Sequence, residues 1–81
     1  MLEVPIRDVE DLGRAVRAAR MTARLDQVTA AGLLGVGPRF LGELERGKPT
    51  LRIGLVLQVL ERLGLELCLT PRGTSDDPAV P

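Results

Sequence analysis

Arg39 and Glu43 stand four residues apart, and Arg46 and Lys48 follow directly after. These side chains recognise rather than transform. An arginine guanidinium offers paired donors that match guanine N7 and O6, and one such contact discriminates by about 1–3 kcal/mol. Arg39 can equally meet a phosphate or close an ion pair within the chain. Glu43 can accept from cytosine N4 or hold Arg39 in place. Phe40 can touch a thymine methyl, although packing beneath a helix is its commoner use. Arg46 and Lys48 suit backbone phosphates, with Arg24 and Arg52 as weaker candidates.

Covalent chemistry has little to work with. Among the 81 residues there is no His, and Cys68 is the only cysteine, so an intramolecular disulfide and a cysteine-based zinc site are excluded. The closely spaced glycines of LLGVGPRF lack the Gly-Lys-Ser/Thr of a phosphate loop and the strand that precedes a dinucleotide motif. We expect no enzymatic activity, no metal and no cofactor. Cys68 reads as a small, half-buried side chain rather than a redox switch.

The net charge of zero hides a polarised chain. Residues 14–52 hold eight of the eleven basic residues and three of the eleven acidic ones, so the positive excess coincides with the candidate recognition segment. Chance clustering on a soluble surface is the plain alternative. We expect no signal peptide, and no apolar run in the sequence is long enough to span a membrane, so a reduced, cytoplasmic protein is expected. With one Phe and no Trp or Tyr, aliphatic side chains must build the core. A core this small is marginal alone, which makes a dimer plausible.

The elements that would position these residues follow from spacing. Leu2, Val4 and Ile6 alternate with Glu3 and Pro5, as a short edge strand does. Asp8 is a good N-cap for a first helix carrying Leu12, Ala15, Val16 and Ala19 at helical spacing. Asp26 can cap a second helix to about Leu34, stopped by Gly35. Gly37-Pro38 opens a third, running to about Arg46 and ended by Gly47 and Pro49. Two short helices separated by Gly35-Val36-Gly37 have the layout of a helix-turn-helix, whose second helix lies in a DNA major groove. Gly37, Pro38, Arg39 and Glu43 then occupy its exposed face. The first two lack polar side chains, so DNA shape would supply part of any selectivity.

Thr50 can cap a fourth helix over about residues 51–63. Its apolar residues fill an arc of roughly 200°. Leu55, Val56, Val59 and Leu63 are expected to face the core, and Ile53, Leu57 and Leu60 a second subunit. Residues 65–70 alternate with period two and predict a strand that pairs with the N-terminal segment, with its twin in a partner, or with both. Leu65, Leu67 and Leu69 would then join the dimer interface. Residues 1–70 form the predicted domain, and residues 71–81 a disordered tail.

The segment from Asp11 to Leu69 resembles the lambda-repressor-like (Cro/XRE) helix-turn-helix family. The runs RFLGELERGKPT and LGLELCLT are similar to the HipB-type antitoxins of bacterial toxin–antitoxin operons. The resemblance implies a mainly α, four-helix domain acting as a dimeric repressor that binds operator DNA, autoregulates its operon and neutralises a HipA-type serine/threonine kinase. It gives Gln27 a phosphate contact at the start of the second helix, although a solvated first-turn residue is the alternative. It also makes Arg20 and Glu45 an internal, structural pair. Asp26 departs from the family's usual Thr, Ser or Asn, and its charge opposes phosphate. A stand-alone regulator with the same DNA mode, and a purely protein-binding module on this scaffold, are the competing readings. The basic segment argues against the module.

Overall fold

The computed structural model describes residues 3–71. Four helices follow in order: α1 (Val9–Thr22), α2 (Gln27–Leu34), α3 (Pro38–Glu45) and α4 (Ile53–Arg62). Asp8 opens α1 by accepting from Asp11 N–H at 2.7 Å, and Asp26 opens α2 by accepting from Thr29 N–H at 2.7 Å. Pro38 starts α3 behind Gly37, with no side-chain cap.

All four described helices end in the same way. A left-handed residue donates to the carbonyl three positions back, and the next residue donates to the carbonyl five back. Gly35 and Val36 do this for α2, Gly47 and Lys48 for α3, and Gly64 and Leu65 for α4. At α1 the left-handed position is held by Arg24 (φ 60°), the only non-glycine residue with positive φ among those described. Each motif satisfies carbonyls of the last turn and takes the chain out of the helical path.

The core is Val16 from α1, Ala30, Ala31 and Leu34 from α2, Leu41 and Leu44 from α3, and Val56, Val59 and Leu60 from α4. α1 packs on α3 at backbone distance. A Cβ at Gly13 would stand 2.5 Å from the Leu44 carbonyl oxygen and 2.6 Å from that of Glu45. Gly47 gives the matching approach at the other end, where a Cβ would meet Glu10 Cα at 2.8 Å.

Several expectations are corrected. Helix four begins at Ile53, not near Leu51, and Arg52 rather than Thr50 stands at its N-cap without a side-chain hydrogen bond. Leu51 instead packs on the core ahead of the helix. Leu60 is buried, at 4% exposure, so it belongs to the core and not to the outer face. The stripe Val56, Val59, Leu60, Leu63 has the i, i+3, i+4, i+7 spacing of one helix face, which turns Leu55 to the half-buried margin. Residues 65–70 form no strand in the single chain, and neither does the described part of the N-terminal segment. A strand is held by a neighbour, and beyond the Leu65 N–H these residues make no backbone hydrogen bond among those described. Cys68 is accordingly exposed rather than half-buried. The predicted tail lies, apart from Pro71, outside the described residues.

Candidate nucleic-acid interface

α2 and α3 meet through the turn at Gly35-Val36-Gly37, and α1 braces α3 from behind. The brace has an electrostatic part. Arg20 Nε donates to Glu45 Oε2 at 2.6 Å and Arg20 Nη2 to Oε1 at 3.0 Å, with both side chains almost fully buried. Arg20 Nη1 also donates to the Leu25 carbonyl at 2.6 Å, which fixes the loop before α2. Burial alone would push the Glu45 carboxyl up. Hydrogen bonds from Arg20 and Gln27, with the arginine charge, hold it below its ordinary value instead. The hydrogen bond to Glu45 raises Arg20.

Gln27 is drawn into this pair, because its Nε2 donates to Glu45 Oε1 at 3.0 Å. One amide hydrogen is therefore used internally, and the other remains for an outside acceptor. Gln27 also shares a place with Arg46. A Cβ on Gly42 would stand 3.3 Å from Arg46 Nη1 and 3.5 Å from Gln27 Oε1. The missing side chain at Gly42 thus leaves room for an amide from the start of α2 and a guanidinium from the C-cap of α3. Asp26 is occupied as a cap, and the Thr29 backbone N–H, then its hydroxyl, hold its carboxyl below the usual range.

On the outer face of α3 the Arg39 side chain is 90% exposed. Its Nε lies 3.4 Å from Glu43 Oε2, and Lys48 Nζ lies 3.3 Å from the same oxygen. The hydrogen bond from Lys48, then the one from Arg39, holds the Glu43 carboxyl low, so it is charged near neutrality. Gly37 and Pro38 are exposed at the start of the helix. A Cβ at Gly37 would meet nothing within 4 Å. Arg24 and Arg52 are exposed and make no side-chain hydrogen bond or ion pair with any described residue. The geometry therefore groups Arg39, Glu43 and Lys48, and separately Gln27 and Arg46, and leaves Arg24 and Arg52 apart.

Gln58 was missed in the sequence. Its Nε2 donates to the Leu34 carbonyl at 2.9 Å and the Gly35 carbonyl at 3.3 Å, so α4 grips the turn ahead of the exposed helix. The signal was available, since Gln58 is the one polar side chain in residues 53–60. Of the expected dimer contacts, Leu57, Leu65, Leu67 and Leu69 line one open groove between α1 and α4, whereas Ile53 lines a separate cleft with Val9 and Pro49. No described helix is long and apolar enough to cross a membrane. Among the described residues, no cluster of His, Cys, Asp or Glu is suited to a metal.

Two short helices joined by a left-handed glycine, with a third behind them and an exposed arginine in front, define a helix-turn-helix. A helix-turn-helix domain model matches residues 11–72, and the chain belongs to that family, in its Cro/XRE form. It is 46% identical over 68 residues to y4mF, an uncharacterized HTH-type transcriptional regulator of Sinorhizobium fredii, covering 84% of this chain and 90% of that one. Its fold is similar to the crystal structure of the restriction-modification controller protein C.AhdI from Aeromonas hydrophila. There the TM-score is 0.63 at 29% identity, over 73% of this chain and 86% of the other.

Proposed function

We propose that the protein is a homodimeric, sequence-specific DNA-binding repressor of transcription that acts on its own promoter. The observation that carries this reading is the exposed face of α3, where Arg39 projects at 90% exposure beside a recognition-helix scaffold braced from two sides. Arg39 reads a base. Gln27, Arg46 and Lys48 hold phosphates, and Arg24 and Arg52 extend that track. Ile53, Leu57, Leu65, Leu67 and Leu69 form the contact between subunits, the last three through pairing of residues 65–70 with their twin. Two recognition helices then meet half-sites roughly 34–36 Å apart. The names of the relatives, a transcriptional regulator and a controller protein, agree with this role.

The likeness of RFLGELERGKPT and LGLELCLT to HipB-type antitoxins supports a finer reading, in which the dimer also captures and neutralises a HipA-type kinase toxin. The stand-alone regulator is the second reading, and the similarity to y4mF, an HTH-type transcriptional regulator, favours it. The test is a gel shift on the DNA upstream of the protein's own gene, with and without the product of the neighbouring gene. Selective binding alone fits the repressor. Co-purification of a kinase-like neighbour whose phosphorylation activity falls in the complex selects the antitoxin. A neighbour that neither binds nor changes the shift selects the stand-alone regulator.

A further inference from the structure

We propose that Glu43 sets the selectivity of the recognition surface without touching a base, by holding Arg39 through Nε so that both terminal nitrogens face outward. The inference rests on the DNA-binding reading above. A guanidinium carries five donors in a rigid plane, and an end-on fork to guanine uses the two Nη groups. The Arg39 donor that approaches Glu43 is Nε, at 3.4 Å, and among the described residues nothing takes up that fork. Arg39 is otherwise a long side chain at 90% exposure with four rotatable bonds. Tethering it lowers the ordering cost of docking.

The tether is itself fixed. The Glu43 side chain is 18% exposed, against 90% for Arg39 and 43% for Lys48, so the carboxylate lies beneath its two partners. Lys48 is placed by the end of α3, where its backbone N–H donates to the Glu43 carbonyl at 3.0 Å behind left-handed Gly47. Its ammonium then returns to the same residue's carboxylate at 3.3 Å. A carboxylate already shared by two cations is a poor acceptor for a cytosine amine, and its charge opposes indiscriminate approach to phosphate. Glu43 therefore acts as a positioning residue, which loosens binding to indifferent DNA while sharpening binding to the right sequence.

The test is a double-mutant cycle of Glu43→Ala and Arg39→Ala on the ratio of affinities for upstream and scrambled DNA. It is paired with solvent exchange of the Arg39 Nε–H in the free protein. Glu43→Ala is expected to lower the ratio on the order of tenfold. It should raise affinity for scrambled DNA a few-fold, cause no further loss in the Arg39→Ala background and speed exchange at Nε. Additive losses would make Glu43 a base reader and overturn the proposal, as would an unchanged ratio or unchanged exchange. A wild-type protein with no preference for upstream DNA would overturn the DNA-binding reading itself. A selective wild type indifferent to Glu43→Ala would sink this inference alone.

Discussion

Arg24 closes α1 at φ 60°, in the position that Gly35, Gly47 and Gly64 fill for the other helices. A side chain in that conformation costs about 1 kcal/mol relative to glycine. Arg24→Gly is therefore expected to stabilise the fold by about 1 kcal/mol in urea unfolding, while weakening DNA binding if Arg24 meets a phosphate. A variant of lower stability would contradict the account of this turn. The buried pair of Arg20 and Glu45 behaves oppositely. Removing one partner strands a buried charge, so Arg20→Ala should cost about 3–5 kcal/mol and leave little folded protein. The Glu45 carboxyl lies below its ordinary 4.5 in the folded chain. Its contribution is thus complete above pH 4.5 and is lost as the pH falls through the folded value. Arg20 is raised by its hydrogen bond to Glu45, so its contribution persists across the acidic and neutral range and fades only in strong alkali. In urea titrations at successively lower pH, the wild type should lose stability more steeply below pH 4.5 than Glu45→Gln. Parallel curves would deny the pair that role.

At the scale of elements, the packing of α1 on α3 turns on one missing methyl group. Gly13→Ala would place a Cβ 2.5 Å from a backbone oxygen that no rotamer change can move aside. We expect a loss of about 1–3 kcal/mol by thermal unfolding, and no change would mean that the helices separate freely. The glycines and capping aspartates made these elements legible in sequence, because Asp8, Asp26, Gly35 and Gly47 each have a local reason to stand where they do. What depended on a neighbour was less legible. The start of α4 lies later because Leu51 packs on the core ahead of it, and Leu60 joins Val56 and Val59 because the core reaches that side of the helix. Residues 65–70 carry the alternation of a strand, but alternation shows only which face is apolar and not what lies alongside. At the interface, Arg39 and Glu43 could be paired from their spacing. The return of Lys48 onto Glu43 needed the left-handed geometry of Gly47, and the grip of Gln58 needed the tertiary fold.

At the scale of the whole molecule, apolar surface remains to be covered. Ile53 is 66% exposed, Leu57 44% and Leu69 92%. The groove that holds Leu57 also takes in Leu67 and Leu69. A second copy of the chain would bury that surface and give residues 65–70 a ladder partner. Leu57→Asp is expected to yield a monomer in sedimentation and to abolish operator binding, and a monodisperse dimer would rule out this interface. The central claim is that α3 reads DNA through Arg39. It is tested most directly by titrating the purified protein against its own upstream DNA and a scrambled duplex at several salt concentrations, beside Arg39→Ala. Tight, salt-dependent and selective binding, with the selectivity relaxed on the order of tenfold in Arg39→Ala, is the predicted result. Equal affinity for both duplexes, or selectivity untouched by the loss of Arg39, would contradict it.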